Sequence, residues 1–449
     1  MPSDPPCPGR APAGEKEWTN EEVLMIFSFC VRGGACALAF MVLQTMGGIY
    51  DVVAKGDGVT DCTQAIQGQI DACSAAGGGM VRVPAGTYLT YTLNLKSNVD
   101  LHLDPGSTLL GGTDPLKYPL FPHSELWRSE RAQRWNRRAM FYTVGQTNVS
   151  LTGSGTIDGN ALAFHHQDAK GKWVRNSDTN ITGRCLFFAA CKDVKVDGVL
   201  IRNPAGWSTW FLDCDRVGIH ALRIQTHRLL PNGDGIHLGG CRDVTVSDCN
   251  IDSQDDAIVL RSHQEQMNAP RPLERVTIAN CIIRSNRACA VRIAWTEDAP
   301  VKDCLLSNIF CSFAHLGVVV ELPTLPEGEG ALWRDPPRGN GVPPPDRENV
   351  SFSLENLSFD HLTLVTDTYP LWINVGKNQR VDYMRNVRFA NCQFTARLPP
   401  TFNYKPEHHV SDWRFSNCEF RITEPVEKGG CWFPHADGIV FDNVRWSAK

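Results

Sequence analysis

Hydrophobic and polar positions along this chain alternate in short bursts, and the bursts recur. Between residues 191 and 309 a polar or cysteine-bearing turn repeatedly leads into a short alternating strand: CKDVKVDGVLI (191–201), CDRVGIHALRI (214–224), CRDVTVSDCNI (241–251), LERVTIANCII (273–283) and APVKDCLLSNI (299–309). Alternation with a period of two sends one set of side chains inward and the other outward from an extended strand. The strand-leading valines Val194, Val217, Val244, Val276 and Val301 are separated by 23, 27, 32 and 25 residues. Such steps are too short for a strand, an ordinary helix and their loops, and too regular for an arbitrary sandwich. Each holds two or three short strands with turns, which is one turn of a parallel β-solenoid stacked about 4.8 Å from the next. Earlier copies lie at 97–111 and 147–159. Later ones, after a Pro-rich excursion at 322–347, lie at 348–357, 385–394, 411–420 and 437–446. The Leu/Asn consensus of a leucine-rich-repeat horseshoe is absent.

The segment before the repeats differs. Thr60 and Asp61 supply a cap for a helix from about Thr63 to Ala75, with Ala65, Ile66 and Ile70 on one face, and Gly77, Gly78 and Gly79 end it. An amphipathic helix there covers the open first turn, whose edge would otherwise offer unpaired backbone groups. The expected fold class is all-β: a single-stranded parallel β-helix over residues 49–449 with an N-terminal capping helix. Residues 1–48 do not conform. Their apolar stretches, 23–31 and 35–43, are split by Arg32, Gly33 and Gly34, and neither is long enough to span a bilayer. They read as a degenerate secretion signal, which implies a secreted or periplasmic protein, or one acting in the cytoplasm on imported oligosaccharides.

Composition narrows the partners. A net charge of -5 argues against nucleic acid. One basic cluster, RSERAQRWNRR (128–138), is either a solvated loop or a clamp for an acidic ligand. The 17 cysteines leave at least one thiol unpaired within a monomer. Cys249, Cys281, Cys392 and Cys418 recur at one point of the repeat and read as small buried residues stacked in the core. No CxxC pair appears, so zinc is not expected, nor is any other metal or cofactor.

Two turns carry the candidate chemistry. NGDGIHL (232–238) and QDDAIVL (254–260) set Asp234 and Asp255 21 residues apart, about one turn, with Asp256 beside Asp255. On successive turns the three carboxylates meet on one outer face, as acid/base cleavage of a glycosidic bond requires. Neighbouring residues of a straight strand point to opposite faces, so a bend is expected at 255–256. His237 either faces the cleft or is a satisfied structural histidine. Trp207, Trp210 and Trp295 are sugar platforms or core residues, Trp295 being the best placed as a cleft wall. Cys289 has no paired base and reads as inert.

From about residue 49 onward these residues resemble glycoside hydrolase family 28, the polygalacturonase-like members of the pectin-active β-helix superfamily. The stretch from AKGDGVTDCTQAI to AGGGMVRVPAGTYL looks like the superfamily's cap and first turn. The specific part is NGDG, similar to the family's Asn-Thr-Asp-Gly, and QDDAIVL, similar to its Gly-Asp-Asp-Cys-Ile-Ala. The resemblance implies a right-handed coil and cofactor-free, inverting hydrolysis of a pectic or related polysaccharide or oligosaccharide; separately, a monomer is expected. Asp255 would be the general acid. Asp234 and Asp256 would hold and deprotonate the water, with Asn232 and Gln254 supporting them. Inverting pairs stand about 6.5–9.5 Å apart.

Two departures bear on the substrate. The family's Gly-His-Gly falls on NRACAVRIAW (286–295), with Ala288 at the histidine. Its uronate-reading Arg-Ile-Lys falls on LGVVVELP (316–323), with Val319 and Glu321 in place of the cations. Arg292 supplies a cation one turn earlier, and Glu321 suits the hydroxyls of a neutral sugar. The expected substrate-binding set is Asn232, Gln254, His237, Arg292, Trp295 and Glu321. Three alternatives stay open: a glycosidase for a non-uronate sugar such as rhamnose or galactose, a lyase or epimerase using a Lys or Arg base, and a non-catalytic carbohydrate-binding β-helix.

Overall fold

The computed structural model describes residues 47–119, 138–176, 184–262, 271–295, 299–323, 351–377, 379–424 and 438–448. The expected N-terminal segment apart from its last two residues, the basic cluster apart from Arg138, and nearly all of the 322–347 excursion lie outside them. From Gly48 onward the chain coils as a right-handed parallel β-helix. Among the described residues every strand pairing is parallel except one hairpin, His165–Gln167 against Trp173–Arg175.

The inward residues stand in register from turn to turn. One row runs Leu101, Leu151, Val196, Ile219, Val246, Ile278, Leu306, Phe359, Phe389, Phe415 and Phe441. All but Phe441 are buried. The aromatic end is a stack of parallel rings with centroids 4.5, 5.0 and 5.1 Å apart, close to the strand spacing itself.

The register corrects one expected step. Val276 pairs with Cys304, and Val301 pairs with Leu273 instead. The position that sets the step is the residue just before the ladder. Asp193, Arg216, Asp243, Arg275 and Asp303 all adopt the left-handed conformation there, at φ 54–57°. Such a residue turns the corner and launches the next strand, and Asp or Asn tolerates it best. These corner residues also join the turns: Arg216 Nε donates to Asp193 at 2.6 Å, Arg275 Nε to Asp243 at 2.7 Å, and Asn386 Nδ2 to Asn356 Oδ1 at 2.7 Å. Exposed pairs of this kind contribute little stability, so their main effect is on register.

The cap is a helix, α1, at Thr63–Ala75. Asp61 Oδ1 accepts from the Thr63 N–H at 3.0 Å and from its hydroxyl at 2.6 Å. Its buried face is Ile66, Ile70 and Cys73, while Ala65 is exposed, because spacings of four and three residues return to one face and Ala65 lies off that stripe. Gly78, at φ 117°, ends it where an added Cβ would sit 2.4 Å from the Asn98 carbonyl. All 13 described cysteines are free and buried, in keeping with core stacking rather than disulfides. No described helix is long and apolar enough to cross a membrane.

One face of the coil is a separate nine-stranded parallel sheet. Its strands are β1 (Ala139–Val144), β2 (Arg184–Ala189), β3 (Trp207–Leu212), β4 (Ile236–Gly239), β5 (Ile258–Arg261), β6 (Cys289–Ile293), β7 (Leu316–Leu322), β8 (Leu371–Val375) and β9 (Thr401–Asn403). The candidate carboxylates lead into β4 and β5.

Phe389→Ala opens a cavity in the middle of the ring stack. It is expected to lower the unfolding free energy by about 3–5 kcal/mol, read from denaturant melts. An unchanged melt would show that the stack does not hold the later turns together.

Candidate active site

The β4 and β5 strands align Ile236 with Ile258 and His237 with Val259. Two residues earlier on each turn, this register brings Asp234 beside Asp256. The Gly235 N–H donates to the Asp256 carbonyl at 2.8 Å, and the Ala257 N–H to the Cys289 carbonyl at 2.9 Å. The turns approach so closely that a Cβ on Gly235 would lie 2.2 Å from the Ala257 carbonyl oxygen. Glycine is therefore required beside Asp234.

The chain bends at Gln254 and Asp255, between the strand Asn250–Ser253 and β5, as two outward neighbouring aspartates demand. The bend is fixed from several sides. The Gln254 and Asp255 N–H groups donate to the Gly233 carbonyl at 2.9 and 3.1 Å. The Ser253 and Ser285 hydroxyls donate to the Asp255 carbonyl at 2.7 and 2.8 Å.

The result is a compact triad. One carboxylate oxygen from each of Asp234, Asp255 and Asp256 lies within 4.8 Å of the others. These closest-oxygen separations are shorter than the 6.5–9.5 Å expected between an inverting acid and base. They match another geometry: two hydrogen bonds of about 2.8 Å to a single water place their acceptors roughly 4.6 Å apart.

The environments of the three acids differ. Asp234 is buried, and burial, followed by the charges of Asp255 and Asp256, holds its pKa well above the carboxylate range. Asp255 is the most open of the three. Burial and then the Asp256 charge push its pKa up to about 6. Asp256 is fully engaged: Oδ2 accepts from Arg292 Nε at 2.5 Å and Oδ1 from the Cys289 N–H at 3.0 Å. Arg292 also pairs with Glu321 and lies 4.8 Å from the Trp295 ring centre. Burial alone would depress the Arg292 pKa, but Asp256 and Glu321 reverse that and hold it raised.

The other expected residues fall into place around this core. His237 is buried, with Nε2 2.9 Å from Asp234 Oδ2. Its burial, and then the nearby arginines Arg261, Arg184 and Arg292, lower its pKa and keep the ring neutral. Gln254 is buried and spends its side chain on the turn, accepting from the Gly233 N–H at 3.3 Å. Asn232 is exposed in the left-handed conformation at φ 60°. Glu321 is already engaged by the Arg292 guanidinium rather than left open to sugar hydroxyls. Trp210 is fully buried, and Trp207 packs between His237, 3.7 Å away, and Arg184, 3.9 Å away, so neither offers a sugar platform.

Sequence reasoning missed Arg184 and Arg175, whose charges act on the triad. Arg184 is placed by the register: it pairs with Trp207, and Thr209, two residues on, pairs with Ile236, which follows Asp234 by two. Arg175 gave no such signal, because it sits on the hairpin outside the repeat.

The family description Glycosyl hydrolases family 28 matches residues 73–283, which include both aspartate motifs. A probable polygalacturonase of Vitis vinifera is 27% identical over 280 residues, covering 61% of this chain and 56% of that protein. Over residues 73–283 the chain is similar to glycoside hydrolase family 28. An exo-poly-alpha-D-galacturonosidase of Dickeya chrysanthemi is 27% identical over 295 residues, covering 57% of this chain and 48% of that protein. The chain thus spans about half the length of these curated relatives. In fold, the chain is similar to a hyperthermoactive exopolygalacturonase from Thermotoga maritima, with a TM-score of 0.68, 19% identity, and 90% and 92% of the two chains covered.

Replacing Arg292 by Met leaves the buried Asp256 and the half-buried Glu321 without their shared counter-charge. The substitution is expected to cost about 3–5 kcal/mol of stability, measured by denaturant melts at neutral pH. A loss below 1 kcal/mol would mean that the pair contributes no more than an exposed one.

Proposed function

We propose that the protein hydrolyses glycosidic bonds of a pectic or related polysaccharide by a single displacement. The observation that carries this reading is the triad itself: three carboxylates on adjacent turns, spaced to hold one water, with the most open of them still able to keep a proton near pH 6. The substrate class comes from the relatives, whose names place their activity on polygalacturonate.

Asp255 donates its proton to the leaving oxygen as the bond to the anomeric carbon breaks. The water held by Asp234 and Asp256 attacks that carbon from the other face and passes its proton to Asp256, while Asp234, whose pKa is raised, positions the water. Arg292 and the Cys289 N–H hold Asp256 as an acceptor, and His237 holds Asp234. Proton exchange with solvent restores Asp255. No step calls for a cofactor. Each acid has a role in hydrolysis, and Arg292, the arginine in contact with the triad, is held as a cation by Asp256 and Glu321 and so is a poor base, which favours hydrolysis over lyase chemistry.

The acid must be protonated to act, so turnover is expected to fall as pH rises through about 6. Asp255→Asn should reduce turnover by roughly 10²–10⁴-fold. Reducing-end release from pectic polymers measures both, and proton NMR of the first product reads its anomeric configuration. Unsaturated products would overturn hydrolysis. Retention of configuration would overturn the single displacement.

A further inference from the structure

Two arginines beside the triad each keep a buried Nε that donates to no group among the described residues. Arg184, at the start of β2, is 7% exposed, and its guanidinium carbon lies 3.9 Å from the Trp207 ring centre and 4.6 Å from that of Trp210. Its Nε makes no hydrogen bond among the described residues, and neither does the buried Nε of Arg175 on the hairpin strand Trp173–Arg175. By contrast, Arg292 is held by Asp256 and Glu321, and Arg261 is also engaged.

The two unpartnered groups act on each other as well as on the acids. Burial, then the charge of Arg175, lowers the Arg184 pKa to about 9. Arg175 in turn is depressed by burial and drawn back by Asp234 and Asp255. A buried guanidinium without acceptors is costly, and a second one nearby raises the cost. Stacking on Trp207 and Trp210 fixes the plane of Arg184 but satisfies none of its donors. A planar carboxylate does satisfy them, because a guanidinium presents a fork of N–H donors that matches two carboxylate oxygens.

We propose that Arg175 and Arg184 form a carboxylate-binding subsite on the N-terminal side of the triad, taking the uronate group of a sugar next to the scissile bond. The location of that sugar rests on the glycosidase reading above. The cations expected at Val319 and Glu321, on the C-terminal side, are then replaced across the triad rather than lost. Trp207 is part of the same device: it supports Arg184 on one side and His237 on the other.

The test is calorimetric titration of Asp255→Asn protein, which does not consume its ligand, with trigalacturonate, its methyl ester and galactotriose. Trigalacturonate is expected to bind at least tenfold tighter than the ester. Arg184→Met and Arg175→Met should each weaken trigalacturonate binding by roughly 10–100-fold and leave the ester unchanged, with Arg184→Lys in between. The melting temperature of Arg184→Met should be no lower than the parent's, since the change removes an unpartnered buried charge; a merely structural arginine would lower it and weaken every ligand alike. Equal binding of trigalacturonate by parent and variants, equal loss of acid and ester, or no binding of trigalacturonate by the parent would overturn the subsite. Hydrolysis by the unmutated protein is scored separately. Arginine-dependent acid binding without any hydrolysis keeps the subsite and sinks the glycosidase reading. Hydrolysis indifferent to both arginine substitutions does the reverse.

Discussion

Each turn of this coil must lay its backbone hydrogen bonds over those of the turn before, at one strand spacing and in one register. That constraint generates the rest. It lines up the inward residues into rows, so aliphatic side chains stack on aliphatic ones and, toward the C-terminus, phenylalanine rings stack face to face. It also brings outward residues of neighbouring turns into contact although they are more than 20 residues apart in sequence. Asp234 and Asp256 meet for this reason, and Gly235 is the local condition for it, because the Ala257 carbonyl occupies the place of any side chain there.

Crowding three carboxylates is unfavourable, and the site divides the cost unequally. The Arg292 guanidinium and a backbone N–H face Asp256, so its oxygens are already accepting. Asp234 and Asp255 lack an equivalent cation in contact and respond by holding protons more tightly. Environments that push like groups apart are what separate an acid from its base. Glu321 belongs to this arrangement indirectly: it pairs with Arg292, which in turn faces Asp256.

Much of this was legible in the sequence because it is periodic. The alternating strands, the turn length, the capping helix and the aspartate motifs one turn apart are all patterns along the chain, and the bend at Asp255 follows from pleat geometry. The failures share a cause. Val301 looked like the ladder residue because it is a valine, yet the left-handed Asp303 sets the register and makes Cys304 the ladder residue. Glu321 looked open to sugar hydroxyls because its neighbour two positions across the ladder, Arg292, lies on another turn. Arg175 was invisible because its hairpin interrupts the repeat, so no period predicts where it returns.

In the proposed reading, reaction type and substrate choice are carried by different parts of the coil. The acids depend on two turns whose geometry is over-determined: a required glycine, two serine hydroxyls on one carbonyl and paired N–H groups on another. The groups that would read the sugar project from single outward positions, where one substitution changes charge without disturbing the inward ladder. Val319 pairs with Arg292 in the register, so a cation at 319 would sit beside one already bound to two carboxylates. Once Arg292 is committed to Asp256 and Glu321, that side of the cleft has its positive charge neutralised locally. Beyond Asp234 the balance is opposite, with two guanidinium groups and no carboxylate in contact with either among the described residues. The charge across the triad therefore falls from that positive side to the neutralised one, and this asymmetry is what the proposed carboxylate subsite rests on.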